Sequence, residues 1–360
     1  MRRKAFAAIL LFLTLLTACG DAVELNRTAV AVTLAVDFEG ERFFVTAEIL
    51  KTEKSNDGER AVSMFLNAEG PTFSSALSNL TETFDRTLLF SHNKVLILGR
   101  NAAAQKLDEI TDLLKRDINL RETNTVMVSK EPTAADVMVH YDGLETNVAD
   151  YLIKAAESRK STGETVGVKV YELIRALETE GKDPVTGTVA LVRLSKDRFA
   201  AATDGLAVFK NNAFHSFMDA DGAFLYNLFS KNINHVEMSE QIGGAPLNIM
   251  ISSESVEKSA RLKDDKIIFE CSVRLKVKPL EASGLNTNNA GDVKALEDAV
   301  AAAIVKKTEK TAAYTAEADI FGIGRLLDSR LPRAYDNGRD FEKACKVTVK
   351  AVISSTGTIF

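Results

Sequence analysis

The stretch "NKVLILGRNAAAQKLDEITDLLKRDINLRETNTVMVSK", residues 93–130, decides the fold class. Val95 to Leu98 is an unbroken apolar run that stops at Gly99, which predicts a short buried strand. Residues 102–117 then carry Leu107, Ile110, Leu113 and Leu114 at helical spacing, one face of an amphipathic helix. Residues 123–130 return to an apolar strand around Val126 and Val128. A strand, a helix and a strand in so short a span predict two parallel strands joined by a right-handed crossover.

Upstream, "TAVAVTLAVDF" (28–38) and "ERFFVTAEILK" (41–51) predict two strands turning at Gly40, with Val30, Val32, Leu34, Val36 and Phe38 on one face. "KTEKSNDGER" (51–60) is polar and reads as a loop. A helix follows at 74–84. Downstream, Pro132 opens a helix in its first turn. Two more helices follow at 145–160 and 168–181, the latter capped by Gly181, and a strand at 185–196.

The rhythm changes near 200. "DGLAVFKNNAFHSFM" predicts a tight hairpin around Asn211-Asn212, residues that tolerate the left-handed turn. Asp219 is placed to cap a helix at 219–232. Residues 247–282 read as successive antiparallel strands, residues 291–316 as a long helix, and "CKVTVKAVISS" (345–355) as a late strand that rejoins that sheet. The expectation is a multi-domain α+β protein with mixed or antiparallel sheets and packed helices. A boundary near 198 separates residues 19–197, divisible at 145/146 into 19–145 and 146–197, from residues 198–360.

The N-terminus places the chain. Arg2, Arg3 and Lys4 precede an almost wholly apolar run from Ala5 to Leu16, then Leu16-Thr17-Ala18-Cys19. A basic start, a short apolar run and small residues before a cut make a secretory signal; the run is shorter than the ~20 residues of a membrane span. Leu-Thr-Ala-Cys resembles a bacterial lipobox, which implies removal of residues 1–18 and lipidation of Cys19. Two acyl chains give stable anchoring where one is marginal. Loss of the signal makes the mature chain three charges more negative than the −5 of the whole. That balance argues against nucleic acid and against broad adhesion to anionic lipid. Of the remaining cysteines, Cys271 and Cys345 lie in strand-like runs, as a disulfide or as two buried small apolar residues.

A search for chemistry finds no catalytic set and no cofactor motif. His92, His140, His215 and His235 have no second ligand at metal spacing, and there is no Walker loop or nucleophile elbow. "DADG" (219–222) lacks the rest of a calcium loop. "ADIFGIGRLL" (318–327) lacks the strand a dinucleotide loop needs, and reads as a chain reversal that packs Phe321 and Ile323. "KRDINLR" (115–121) gathers Arg116, Asp117 and Arg121 at a helix end. It reads either as a local ion pair beside the helix dipole or as a contact for a partner.

Three stretches in order carry a resemblance: "ELNRTAVAVTLAVDFEGERFFVTAEIL" after the lipid cysteine, "FSHNKVLILGRNAAAQKLDEITDLLKRDINLRETNTVMVSKEPTAADVM", and "YTAEADIFGIGRLLDSRLPRAYDNGRDFEKACKVTVKAVISSTG". Together they resemble the Ger(x)C family of spore germination lipoproteins, the C subunits of nutrient germinant receptors. The chain departs from that family in having no tryptophan: Ala22, and Tyr335 or its neighbours, stand where the family usually carries one. The resemblance implies a lipid-anchored protein on the outer face of the spore inner membrane. It would work with two membrane-embedded partners, the A and B subunits, to start germination, with no catalysis and no cofactor. Which subunit touches the nutrient is left open. A substrate-binding lipoprotein of a transporter is the competing expectation, and would show two similar α/β lobes around a cleft; a hydrolase would need a nucleophile–base or metal set.

Overall fold

A computed structural model of the chain describes residues 28–55, 58–117, 119–139, 147–160, 162–196, 198–230, 233–242, 245–263, 266–282, 288–328 and 342–353. In chain order the elements are β1 (Thr28–Glu39), β2 (Arg42–Ser55), β3 (Gly58–Gly70), α1 (Phe73–Glu82), β4 (Thr87–Leu89), β5 (Val95–Leu98), α2 (Arg100–Gln105) and α3 (Leu107–Arg116). Then come β6 (Thr125–Ser129), α4 (Ala134–Val139), α5 (Val148–Lys160), β7 (Val168–Lys169), α6 (Val170–Leu177), β8 (Val185–Ser195), β9 (Arg198–Ala202), β10 (Leu206–Lys210) and β11 (Ala213–Met218). The last are α7 (Ala220–Phe229), β12 (Val236–Ile242), β13 (Ala245–Lys263), β14 (Lys266–Ala282), α8 (Ala290–Glu317), α9 (Ile323–Asp328) and β15 (Glu342–Ile353).

Within the described residues the strands form a large mixed sheet, ordered β11-β10-β8-β6-β5-β1-β2-β3, and a four-stranded sheet ordered β12-β13-β14-β15. The fold is α+β. β5 is parallel to both β1 and β6, as the crossover unit demands. Its side chains alternate between two cores, as a strand covered on both faces requires. Leu96 and Leu98 join Phe43, Phe73, Ile110 and Leu173 under α1, α3 and α6, while Val95 and Ile97 join Val137, Met138 and Leu152 under α4 and α5. A third core lies between the small sheet and α7, α8 and the turn before α9, and takes in Val185, Leu206 and Val208 from the large sheet. The large sheet does not stop at residue 198: β9 pairs with β8, and β10 bridges β8 and β11.

Several expectations need correcting. The single face of β1 is interrupted, because a register shift between Ala31 and Thr33 moves the alternation by one residue. Val32 therefore faces α4 and α5, while Leu34, Val36 and Phe38 face the other core. The polar run 51–60 is largely strand, with β2 and β3 paired from Phe43↔Gly70 out to Ser55↔Gly58. Backbone pairing satisfies such a hairpin whatever its side chains, so polarity alone does not mark a loop. The helix expected over 102–117 is two, broken where Lys106 takes φ −133° and ψ 15°. The Asn211-Asn212 turn is as read, both residues having positive φ. The late strand β15 pairs in parallel with β14, and its register sets Cys345 opposite Phe269 and the buried Cys271 opposite Val347.

Two carboxylates, the buried Glu48 and the half-buried Asp37, tie β2 and β1 to helices far along the chain. Glu48 is 0% exposed, and its oxygens accept from Thr33 Oγ1 (2.6 Å), Ser63 Oγ (2.7 Å) and the Val148 amide (2.8 Å) that begins α5. Asp37 accepts from the Ala134 and Ala135 amides at the start of α4 (2.7 and 3.2 Å). Burial pushes its pKa up, against the lowering effect of those two amides. Gly99 leaves the room: a Cβ there would lie 2.0 Å from Asp37 Oδ1.

Candidate functional site

Arg116, Asp117 and Arg121 lie together where α3 ends. The helix forms because Leu107, Ile110 and Leu114 bury one stripe, with Asp108 and Glu109 in the first turn and Lys115 and Arg116 in the last, matching the helix dipole. Arg116 Nε donates to Asp112 Oδ1 at 3.0 Å, so its ion partner is one turn back rather than Asp117. Both groups are well exposed, which limits the pair to a few tenths of a kcal/mol. Asp117 instead shapes the turn that follows: its Oδ1 accepts from the backbone and side-chain nitrogens of Asn119 (2.9 and 3.1 Å). Leu120 is buried beneath that turn, and Arg121 stands exposed beyond it. Lys115 reaches across to Glu178 at 3.1 Å, joining this rim to α6.

The other side of α6 borders a cleft of about 820 Å³. Val170, Leu173 and Ile174 anchor the helix in the large-sheet core, which leaves Tyr171, Glu172 and Arg175 on the open side. The opposite wall is the 163–168 segment with Tyr226 and Asn227 of α7, and Arg325 of α9 closes one end. Asn227 is buried, and its amide donates to the carbonyls of Gly163 (2.7 Å) and Thr165 (2.9 Å), which sets that wall. Gly181, with φ +74°, turns the chain out of α6, and its carbonyl accepts from the Arg325 amide. Arg325 Nε donates to the Glu180 carbonyl at 3.0 Å. Lys182 Nζ lies 3.3 Å from the Tyr226 hydroxyl and 5.3 Å from the centre of its ring. Glu172 is engaged, accepting from the Lys169 amide (2.8 Å) and the Tyr171 hydroxyl (3.3 Å), and its charge pushes the Tyr171 pKa up.

Sequence reasoning missed this cleft because its cations, Arg175, Lys182 and Arg325, come from three separate stretches and form no spaced motif. It did find one piece that shapes it, the reversal at 318–327, where Phe321 and Ile323 are buried and Gly322 has φ +72°. Gly181, read as the cap of a helix over 168–181, instead lies beyond α6, which ends at Leu177 with Glu178 as its C-cap. Asp219 caps α7, accepting from the Gly222 amide at 2.8 Å. Among the described residues no group of three His, Cys, Asp or Glu side chains could hold a metal ion. His215 and His235 are exposed; His140 lies outside the described residues, as does Cys19.

Comparison with known proteins covers most of the chain. Residues 21–191 match the family model for the spore germination protein N-terminal domain. Residues 204–357 match the model for the spore germination B3/GerAC-like C-terminal domain. "Putative spore germination protein YfkR" of Bacillus subtilis (strain 168) is 24% identical over 293 residues, 77% of this chain and 74% of that protein. Spore germination protein KC of the same organism is 19% identical over 375 aligned positions, 94% of this chain and 91% of that one. The crystal structure of the GerBC protein superposes with a TM-score of 0.58 at 15% identity, covering 89% of this chain and 97% of that one, a likeness of fold.

Proposed function

The chain belongs to the GerAC-like spore germination family, and from that premise we propose that it is the lipid-anchored C subunit of a spore nutrient germinant receptor. The observation that carries the reading is the order and extent of the two family matches, which run from residue 21 to residue 357 with one short gap. In this proposal the chain sits on the outer face of the spore inner membrane and acts with the A and B membrane subunits as a scaffold or transducer, without catalysis. Among the described residues no helix is long and apolar enough to cross a membrane. The lipobox supports an anchor at Cys19, where two acyl chains are enough for stable attachment. The unlike sheets, one large and mixed and one of four strands, do not make the two similar lobes of a transport-binding protein.

Two finer points belong to the same proposal. The division of the chain near residue 198 is supported by the gap between the matched segments, 191 to 204. The rim of Arg116, Asp117 and Arg121 is the proposed partner contact; Arg121 is exposed, and Arg116 is held only by a surface ion pair. Arg116→Glu with Arg121→Glu should lower recovery of the membrane subunits in a pull-down, and unchanged recovery moves the contact elsewhere.

The experiment on the anchor is a Cys19→Ala variant expressed in the spore-forming host. Membrane fractionation should find the wild type in the inner-membrane pellet and the variant in the soluble fraction or retained as an unprocessed precursor. A variant that is processed, stays in the membrane and supports normal germination would refute the lipoprotein reading.

A further inference from the structure

We propose that the cleft between α6, α7 and α9 is a binding site for a small carboxylate-bearing solute. The inference does not depend on the germination reading, because it rests on the charge and packing of the cleft alone. Its volume, about 820 Å³, lies in the range of small-molecule sites, roughly 300–1,000 Å³. Its lining holds three cations, Arg175, Lys182 and Arg325, and one acid, Glu172. That acid accepts from the Lys169 amide and the Tyr171 hydroxyl and keeps its charge, so it offsets one of the three cations and leaves the lining with an excess of two positive charges.

The cations are positioned rather than scattered. Arg325 is oriented by its Nε bond to the Glu180 carbonyl, which leaves the two terminal nitrogens of the fork for an incoming group. Lys182 is steered by the Tyr226 hydroxyl and ring. No hydrogen bond or ion pair to a described residue engages the Arg175 guanidinium. A planar guanidinium recognises a carboxylate through two parallel charge-assisted bonds, and a cluster of cations within one cleft favours the anionic form of a solute. The rings of Tyr171 and Tyr226 line the same cleft and offer apolar surface to the body of the solute. Thr165, 2% exposed, belongs to the lining, and its hydroxyl has no hydrogen-bond partner among the described residues.

The test is calorimetric titration of the full chain in detergent micelles with acetate, succinate and citrate. Succinamide serves as the uncharged counterpart, and inorganic phosphate as a second anion. At least one carboxylate should bind saturably at one site, succinamide should not, and Arg175→Gln with Arg325→Gln should weaken binding at least tenfold. Arg193→Gln, on the β8–β9 hairpin with its guanidinium over Phe199, should leave it unchanged. Both arginines are exposed, so the double variant should keep the wild-type melting temperature; should it unfold, Lys182→Met reads the same site. Absence of saturable binding by all three carboxylates overturns the proposal, as does equal binding by succinamide or full binding by the variants. Phosphate binding in place of the carboxylates would also overturn it, by assigning the cations to a phosphoryl group.

Discussion

Glu48 shows how a single residue holds distant parts of the chain together. Its carboxylate is wholly buried and collects one hydroxyl from β1, one from β3 and the first amide of α5, a hundred positions along the chain. Three donors around a buried acid make the site stable as built and costly to empty, because the buried Thr33 hydroxyl and Val148 amide would lose their partner without regaining water. Glu48→Ala should lower stability by about 3 kcal/mol, read as a shift of the chemical-denaturation midpoint at unchanged slope. A loss under 1 kcal/mol would mean that water reaches those donors. Nothing in the sequence marks this glutamate: the strand over 41–51 is legible from its alternation, but the helix that covers Glu48 is known only from the fold. Asp219 and Asn211 were legible because a cap and a left-handed turn are local requirements that few side chains meet.

At the scale of elements, legibility followed the period of the apolar residues. β5 and β6 carry clean patterns and stand where the pattern put them. The apolar stripes of α3 and α6 were read correctly but their bounds were not: the helix over 102–117 is broken at Lys106, and the one over 168–181 ends at Leu177. β3 and the outer part of β2 were lost because a paired backbone needs no apolar side chains, and the bulge in β1 was lost because one inserted residue leaves no compositional trace. The reversal before α9 was read as a packing device, and it is one. Phe321 sits 5.2 Å from the Phe229 ring, 6.2 Å from Tyr226 and 6.0 Å from Phe269, so that α7, β14 and the chain entering α9 meet on one side chain. Phe321→Ala should cost about 3–5 kcal/mol through lost burial and the cavity left behind, visible as a drop in melting temperature. It should also loosen the end of the cleft that Arg325 closes. A drop within the error of an exposed substitution such as Leu194→Ala would show that the cluster is not held as described.

For the whole molecule, the two sheets share one core through α7, since Val185, Leu206 and Val208 of the large sheet pack in the same cluster as Phe269, Val273 and Leu275 of the small one. The α+β class was legible because the parallel unit at 93–130 and the antiparallel run at 247–282 cannot belong to one regular sheet pattern. The cleft was not, because it forms only when three separate stretches meet. A chain with this fold and these family matches belongs to the spore germination family, and we propose for it a lipid-anchored place in a nutrient-sensing membrane complex. The most direct measurement is to delete the gene in its spore-forming host and follow the fall in optical density of purified spores on separate amino acids, sugars and nucleosides. Loss of the response to one nutrient or group of nutrients, restored by the wild-type chain and with other responses intact, is the result expected of a receptor subunit. Unchanged responses to every nutrient, in a strain that lacks all paralogues of the chain, would contradict it.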